Sequence, residues 1–290
     1  ASSRGSAMPL TDLQKRILRA VAANRDPENY VAGGAVLNVD TDRFSDDIDL
    51  FSDRKADLDR VADWDEKSLQ EAGLSVIWHR RNDAFRRALV GTDRDKTRVD
   101  WSFDSDYRFF PTEKDDIFGY RLHPVDLATN KIIAAIDRSE TRDILDLKTI
   151  SESILPLGPV AWAAAEKSPG RSPDMIIQEL RRKAALRQEQ IDEENLVRKV
   201  DAGDLNNWLR ETCDRAQKWI GSVPPQFDFG LFVGPRGTPC APDFGSVDPE
   251  NYRVHSGARA GAWPTSPEIS SEMIDASVAK DDDDGTDLGF

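Results

Sequence analysis

The sequence predicts an α+β protein: a mixed sheet with helices over residues 9–120, a helical bundle over 121–221, and an acidic, mostly disordered tail over 222–290. Three observations carry this. Stretches with helical and with strand-like apolar spacing alternate through the first segment, whereas the second is helical in pattern from Pro124 onward. The third is rich in Pro, Gly, Ser and Asp and holds 12 acids against 4 bases, more than half of the chain's net charge of −14. The length of 290 residues suits one large domain or two smaller ones, and a hydrophobic content of 39% requires part of the chain to stay outside the core.

Residues 10–23 read as an amphipathic helix with Leu10, Leu13, Ile17, Leu18 and Val21 on one side, broken at Asp26-Pro27-Glu28-Asn29. Tyr30-Val31-Ala32 is a short strand leading into Gly33-Gly34, and residues 35–38 begin a helix. An acidic strand follows around residues 48–51. Residues 55–72 are helical in composition and stop at Gly73. Strands are expected at 74–78, 84–90 and 97–103; the alternation of the last places Asp100 on the face opposite Val99 and Trp101. Helices are expected at 124–136, 142–153, 160–166, 173–188 and 205–220. Within the tail, the apolar run at residues 227–233 is the one piece with the content to order.

The most informative stretch is Gly33-Gly34 followed by Arg43-Phe44-Ser45-Asp46-Asp47-Ile48-Asp49-Leu50-Phe51. Alternation along a strand puts Asp47 and Asp49 on one face and Ile48 on the other. Two carboxylates held side by side repel unless a cation lies between them. With Asp100 on a later strand, three acids can converge as a magnesium site for phosphoryl transfer, and Asp100 can take a proton from an attacking hydroxyl. Ser45 and the backbone after Gly33-Gly34 are candidates for binding phosphates. The spacing alone is equally compatible with a solvated strand edge and a capping Ser45.

A second cluster comprises Lys131, Arg138, Arg142, Asp143 and Asp146. Lys131 either snorkels from a packed helix face or reaches a triphosphate as a point charge. Asp143 and Asp146 lie about one helical turn apart, and either can serve to hold an Arg or Lys in position. No glycine-rich run ends in Gly-Lys-Ser or Gly-Lys-Thr, so there is no P-loop, and His79 and His123 lack metal-ligand spacing.

These motifs, with Val99-Asp100-Trp101, Asp126-Leu127 and Arg142-Asp143-Ile144-Leu145-Asp146-Leu147, resemble the AbiEii/MenT nucleotidyltransferase-like toxins of the DNA polymerase β-like nucleotidyltransferase superfamily over residues 10–190. The resemblance implies a nucleotidyltransferase fold with a cleft between sheet and helices, and magnesium-dependent transfer of a nucleotide from a triphosphate. It also implies toxin activity with a cognate antitoxin; some relatives add nucleotides to the tRNA 3′ end. Carried over, Asp47 and Asp49 are metal ligands, Asp100 is the third carboxylate, Ser45 is the motif serine, Lys131 binds triphosphate, and Asp146 is the downstream catalytic acid, with Asp143 its competitor. Gly33, Gly34, Ser45, Lys131 and Arg142 make up the expected nucleotide-binding set. The family places Gly-Ser before the acids, whereas Phe44 precedes Ser45 here.

Arg80, Arg81, Arg86 and Arg87, with the basic patch at residues 181–187, are the expected surface for a tRNA acceptor. A small cationic acceptor such as an antibiotic, or a non-catalytic nucleotide-binding role, are the competing readings. No apolar run approaches the roughly 20 residues that span a bilayer. Two cysteines, Cys213 and Cys240, make neither a disulfide framework nor a zinc site, which suits the cytoplasm. Residues 1–8 are expected to be left from expression ahead of a natural start at Met8.

Overall fold

The computed structural model describes residues 10–39, 41–246 and 251–261. Helix α1 (Asp12–Val21) opens with a reciprocal capping box between Thr11 and Gln14, and its apolar stripe of Leu13, Ile17, Leu18 and Val21 is buried. Strand β1 (Asn29–Ala32) runs directly into the short helix α2 (Gly33–Leu37). Strand β2 (Asp47–Ser52), helix α3 (Leu58–Glu71), and strands β3 (Ser75–Asn82), β4 (Phe85–Gly91) and β5 (Lys96–Phe103) follow, then β6 (Tyr107–Arg108), β7 (Glu113–Asp115) and β8 (Gly119–Arg121).

Seven of these strands form one mixed sheet in the order β3-β4-β5-β2-β1-β8-β7. The β2–β5 and β1–β8 pairs are parallel and the rest antiparallel. Alternation sends Ile48, Leu50, Val99 and Trp101 to the face covered by α1 and α3, where all four are buried. On that face Asp65 of α3 accepts from Arg25, from Asn24 and from the Trp101 indole, so a buried acid is fully engaged and ties helix to sheet. The opposite face carries Asp47, Asp49 and Asp100 toward the helical part of the chain.

That part consists of α4 (Pro124–Asp137), α5 (Thr141–Ser153), α6 (Leu157–Lys167), α7 (Pro173–Arg182), α8 (Gln188–Asp192) and α9 (Ala202–Ile220), which share one apolar core. The helix expected over 173–188 ends at Arg182. Asn206 of α9 both donates to and accepts from the backbone of Leu186, satisfying those groups outside a helix. The short strands β7 and β8 had no sequence signal; β8 is placed by pairing with β1.

Within the tail, the described residues 222–246 and 251–261 carry short strands. Strands β9 (Leu231–Val233) and β10 (Arg253–His255) pair antiparallel, and β11 (Ala258–Arg259) pairs with β6. Leu231, Phe232 and Val233 are buried in the helical core. Phe232 lies among Trp162, Trp219, Phe227 and Phe244, while the indoles of Trp162 and Trp219 donate to the carbonyls of Asp228 and Pro242. The reason is that the few apolar residues here are large aromatics, each of which buries far more area than an average side chain. Beyond them, His255 Nε2 lies 2.7 Å from the Phe109 carbonyl, and Gly257 and Tyr107 both donate to Glu166. Residues 1–8 and the acidic run at 281–284 lie outside the described residues. Among the described residues no helix is long and apolar enough to cross a membrane, and Cys213 and Cys240 are both free thiols.

Candidate active site

Parallel pairing sets Asp47 opposite Arg98 and Asp49 opposite Asp100, so the register of β2 and β5 alone assembles the acids. One carboxylate oxygen from each of Asp47, Asp49 and Asp100 lies within 4.8 Å of the others. A cleft surrounds them, lined also by Gly34, Arg43, Ser45, Arg87, Arg98, Lys131, Arg138 and Arg142. Acids at the centre with cations around the rim are the arrangement expected where a divalent ion and a polyphosphate are held together.

Each acid sits in a different electrostatic setting. Asp100 accepts a two-pronged bond from Arg87, at 2.8 and 2.6 Å, and Arg98 Nε lies 3.8 Å away. Asp47 accepts from Arg98 and, at 3.2 Å, from the Ser45 hydroxyl, and Arg142 is 3.7 Å from it. Burial pushes the Asp47 carboxyl upward, but the Arg98 bond and charge, with Arg142 and Ser45, outweigh it and hold the group below the usual range. Asp49 has no hydrogen bond or ion pair among the described residues. Burial, together with the charges of Asp47 and Asp100, pushes it up to about 7 against the opposing pull of Lys131. Asp49 is thus the acid most in need of a cation.

Gly33 explains the double glycine. Its φ is +71°, and a Cβ there would lie 2.0 Å from Asp49 Oδ2. Only glycine tolerates both the left-handed backbone and that approach. At Gly34 a Cβ would meet Arg43 Nη2 at 2.7 Å and Ser45 Oγ at 2.8 Å.

Behind the cleft, Asp146 is wholly buried. It accepts from Arg43 at 2.8 and 3.1 Å, from Asn38 at 2.8 Å, and lies 2.6 Å from Lys131 Nζ. Burial raises its carboxyl, yet Lys131 and Arg43 outweigh burial and lower it. Asp143 accepts from Arg138 at 2.7 and 2.8 Å, with Lys131 3.5 Å away. The Arg138 guanidinium is held above its ordinary value, chiefly by the hydrogen bond to Asp143.

Residues 16–228 match the profile of the family described as the nucleotidyl transferase AbiEii toxin of type IV toxin–antitoxin systems. The chain belongs to the AbiEii nucleotidyltransferase family. Two solved structures are similar at 15% identity. One is the crystal structure of an H. pylori protein described as a nucleotidyltransferase (TM-score 0.46, 77% of this chain and 99% of that one). The other is MenT4, a nucleotidyltransferase toxin from Mycobacterium tuberculosis H37Rv (TM-score 0.45, 71% of this chain and 85% of that one). No curated protein matches the chain.

In this AbiEii chain, Asp47, Asp49, Asp100, Gly34, Ser45, Lys131 and Arg142 share one cleft, and Gly33 lies against Asp49. Asp146 does not join the three acids; it stands behind Lys131 and Arg43. Arg87, Arg98 and Arg43 were given no role at the site from sequence. Arg98 could have been found, since alternation puts it on the face of Asp100 two residues later. The expected acceptor surface divides. Arg87 turns into the cleft, Arg86 is buried against Asp59, Arg81 pairs with Asp63 and Arg181 with Asp214. Arg80 and Arg81 lie on β3 and Arg86 and Arg87 on β4, paired 80 with 87 and 81 with 86, so alternation sends one pair to each face of the sheet and the four do not form one patch.

Proposed function

We propose that this chain is the toxin of a toxin–antitoxin pair and transfers a nucleotide from a nucleoside triphosphate to an RNA 3′ end, with magnesium as its metal. The observation that carries the reading is the convergence of Asp47, Asp49 and Asp100 within 4.8 Å inside a rim of cationic side chains. The donor set fits the ion: three hard oxygen ligands, one of them unpaired and raised to about 7, suit Mg²⁺ rather than a thiophilic metal. Bound between those acids, the ion would supply charge neutralisation for the α-phosphate and the leaving group.

The chain's own residues supply the rest. Gly33 and Gly34 keep the space beside Asp49 and Ser45 free of side chains. Ser45 donates to a terminal phosphate once released from Asp47. Arg98 and Arg142, which lie against Asp47 in the cleft, are the guanidinium groups placed to meet the phosphates of the triphosphate. Lys131 supplies a fixed positive charge, and Asp146 positions it together with Arg43. Asp100, held in place by Arg87, accepts the proton of the attacking hydroxyl. A tRNA 3′ end is the acceptor that the family resemblance implies, and the toxin reading supplies a cognate antitoxin as partner.

The test is incubation of the purified protein with each labelled triphosphate and total RNA, with Mg²⁺ or with chelator. Label should enter RNA only with Mg²⁺. D47A should abolish incorporation while its circular dichroism spectrum stays native. Full activity in D47A, or label passing only to small molecules, would defeat the assignment.

A further inference from the structure

Helix α1 carries one polar residue on its buried face. Gln14 is 2% exposed, beside the stripe of Leu13, Ile17, Leu18 and Val21. Both ends of its carboxamide are engaged. Oε1 accepts from the Thr11 N–H at 3.0 Å, closing the capping box, and Nε2 donates to the Ser45 carbonyl at 2.6 Å, across 31 positions of sequence. A peptide N–H can only donate and a peptide carbonyl can only accept, so the two partners fix which way round the amide lies. A glutamate would serve the capping box equally well. Only the amide can also supply a donor to Ser45.

Ser45 depends on such a hold. The pairing of β2 with β5 starts at Asp47, opposite Arg98, so the residues just before it lie outside the ladder. Side chains hold them instead. Arg43 Nη1 donates to the Phe44 carbonyl at 3.0 Å, Gln14 to the Ser45 carbonyl, and Thr97 Oγ1 to the Asp46 carbonyl at 3.3 Å. Consecutive peptide planes are thereby set from different directions, and the Ser45 hydroxyl is left in the cleft, 3.2 Å from Asp47 Oδ1. Gln14 makes the shortest of these bonds, and its other end is tied to the start of a helix. It also lies ahead of residues 16–228, the segment that matches the family. A displacement of about 1 Å in a group that meets substrate is enough to cost binding or rate, so the anchor of the Ser45 backbone bears on the cleft directly.

We propose that Gln14 is a positioning residue of the cleft: through the Ser45 carbonyl it sets where the Ser45 hydroxyl meets the terminal phosphate of the triphosphate. The proposal rests on the nucleotidyl-transfer reading above. The test measures KM and kcat separately for the full chain with Mg²⁺ and the triphosphate that wild type uses best, alongside thermal unfolding. Gln14→Glu keeps the capping-box acceptor and removes the donor. It should raise the KM for triphosphate about three- to tenfold, the range of one lost hydrogen bond, with kcat within about twofold. Gln14→Met, which buries no charge, should repeat that rise if the glutamate variant does not fold. Thr11→Ala breaks the other half of the capping box; it should lower the unfolding temperature and leave the KM within about twofold. Ser45→Ala should raise the KM by itself, and adding Gln14→Glu to it should cost nothing more, because the hold then has no hydroxyl to place. An unchanged KM in the Gln14 variants overturns the proposal. So does a Thr11→Ala variant whose KM rises as much, a Ser45→Ala variant with the wild-type KM, or effects of Gln14→Glu and Ser45→Ala that multiply. Wild-type protein that transfers no label at all would instead remove the transfer reading on which the assignment depends.

Discussion

Asn in place of Asp49 should make the metal-free protein more stable while destroying the site. The folded carboxyl is raised from an ordinary 3.8 to about 7 by burial and by Asp47 and Asp100. A folded-state rise in an acid opposes folding wherever the unfolded carboxyl is ionised and the folded one would have to be. The penalty therefore grows from about pH 4 to about pH 7 and is constant above that, reaching about 4 kcal/mol at three pKa units of 1.36 kcal/mol each. D49N escapes it but buries an amide with no partner, which returns about 1–2 kcal/mol. The net gain at pH 8 is about 2 kcal/mol, and the difference between variant and wild type should change by about 2–3 kcal/mol between pH 5 and pH 8. Urea unfolding of both proteins in chelator at the two pH values measures this, because titrating groups remote from the acid cluster cancel between the two proteins. Magnesium should then stabilise wild type and leave D49N unmoved. A less stable D49N at pH 8, or equal stabilisation of both by Mg²⁺, would refute the reasoning.

Three other outcomes follow from the same geometry. Gly33→Ala forces a Cβ against Asp49 at a φ of +71°, so it should lower stability by about 1–3 kcal/mol in thermal unfolding and weaken Mg²⁺ binding by calorimetry. Asp146→Ala strands Arg43 and Lys131 in a buried setting and should cost about 3–5 kcal/mol in urea unfolding; if stability is unchanged, Asp146 does not position Lys131. Phe232→Ala opens a hole in the aromatic cluster of the tail and should cost about 3–5 kcal/mol, although the residue lies outside the segment that matches the family.

Much of the frame was legible in sequence because it depends on local periodicity. The stripe of Leu13, Ile17, Leu18 and Val21, the alternation of residues 98–103 and the paired aspartates each follow from a repeat of 3.6 or 2 residues. What escaped depends on partners distant in the chain. The end of α7 is set by Asn206, the role of Asp146 by Arg43 more than a hundred residues away, and the fate of Arg87 by which strand lies beside β4. In the tail, averages of composition hide a few large rings: Phe227, Phe232, Phe244 and Tyr252 together form a hydrophobic anchor in an otherwise polar stretch. The carboxylate trio was foreseeable; the arginines that hold it were only half so, since alternation gives a face but not a partner.

The stitch between β11 and β6 gives the molecule a temporal property. Residues 255–261 grip the loop around 106–110 from more than 140 positions downstream. A ribosome makes the three aspartates early and this fastening late. A growing chain can pair β2 with β5 while residues 106–110 still lack this fastening, so the acid trio can assemble before that segment is tied down.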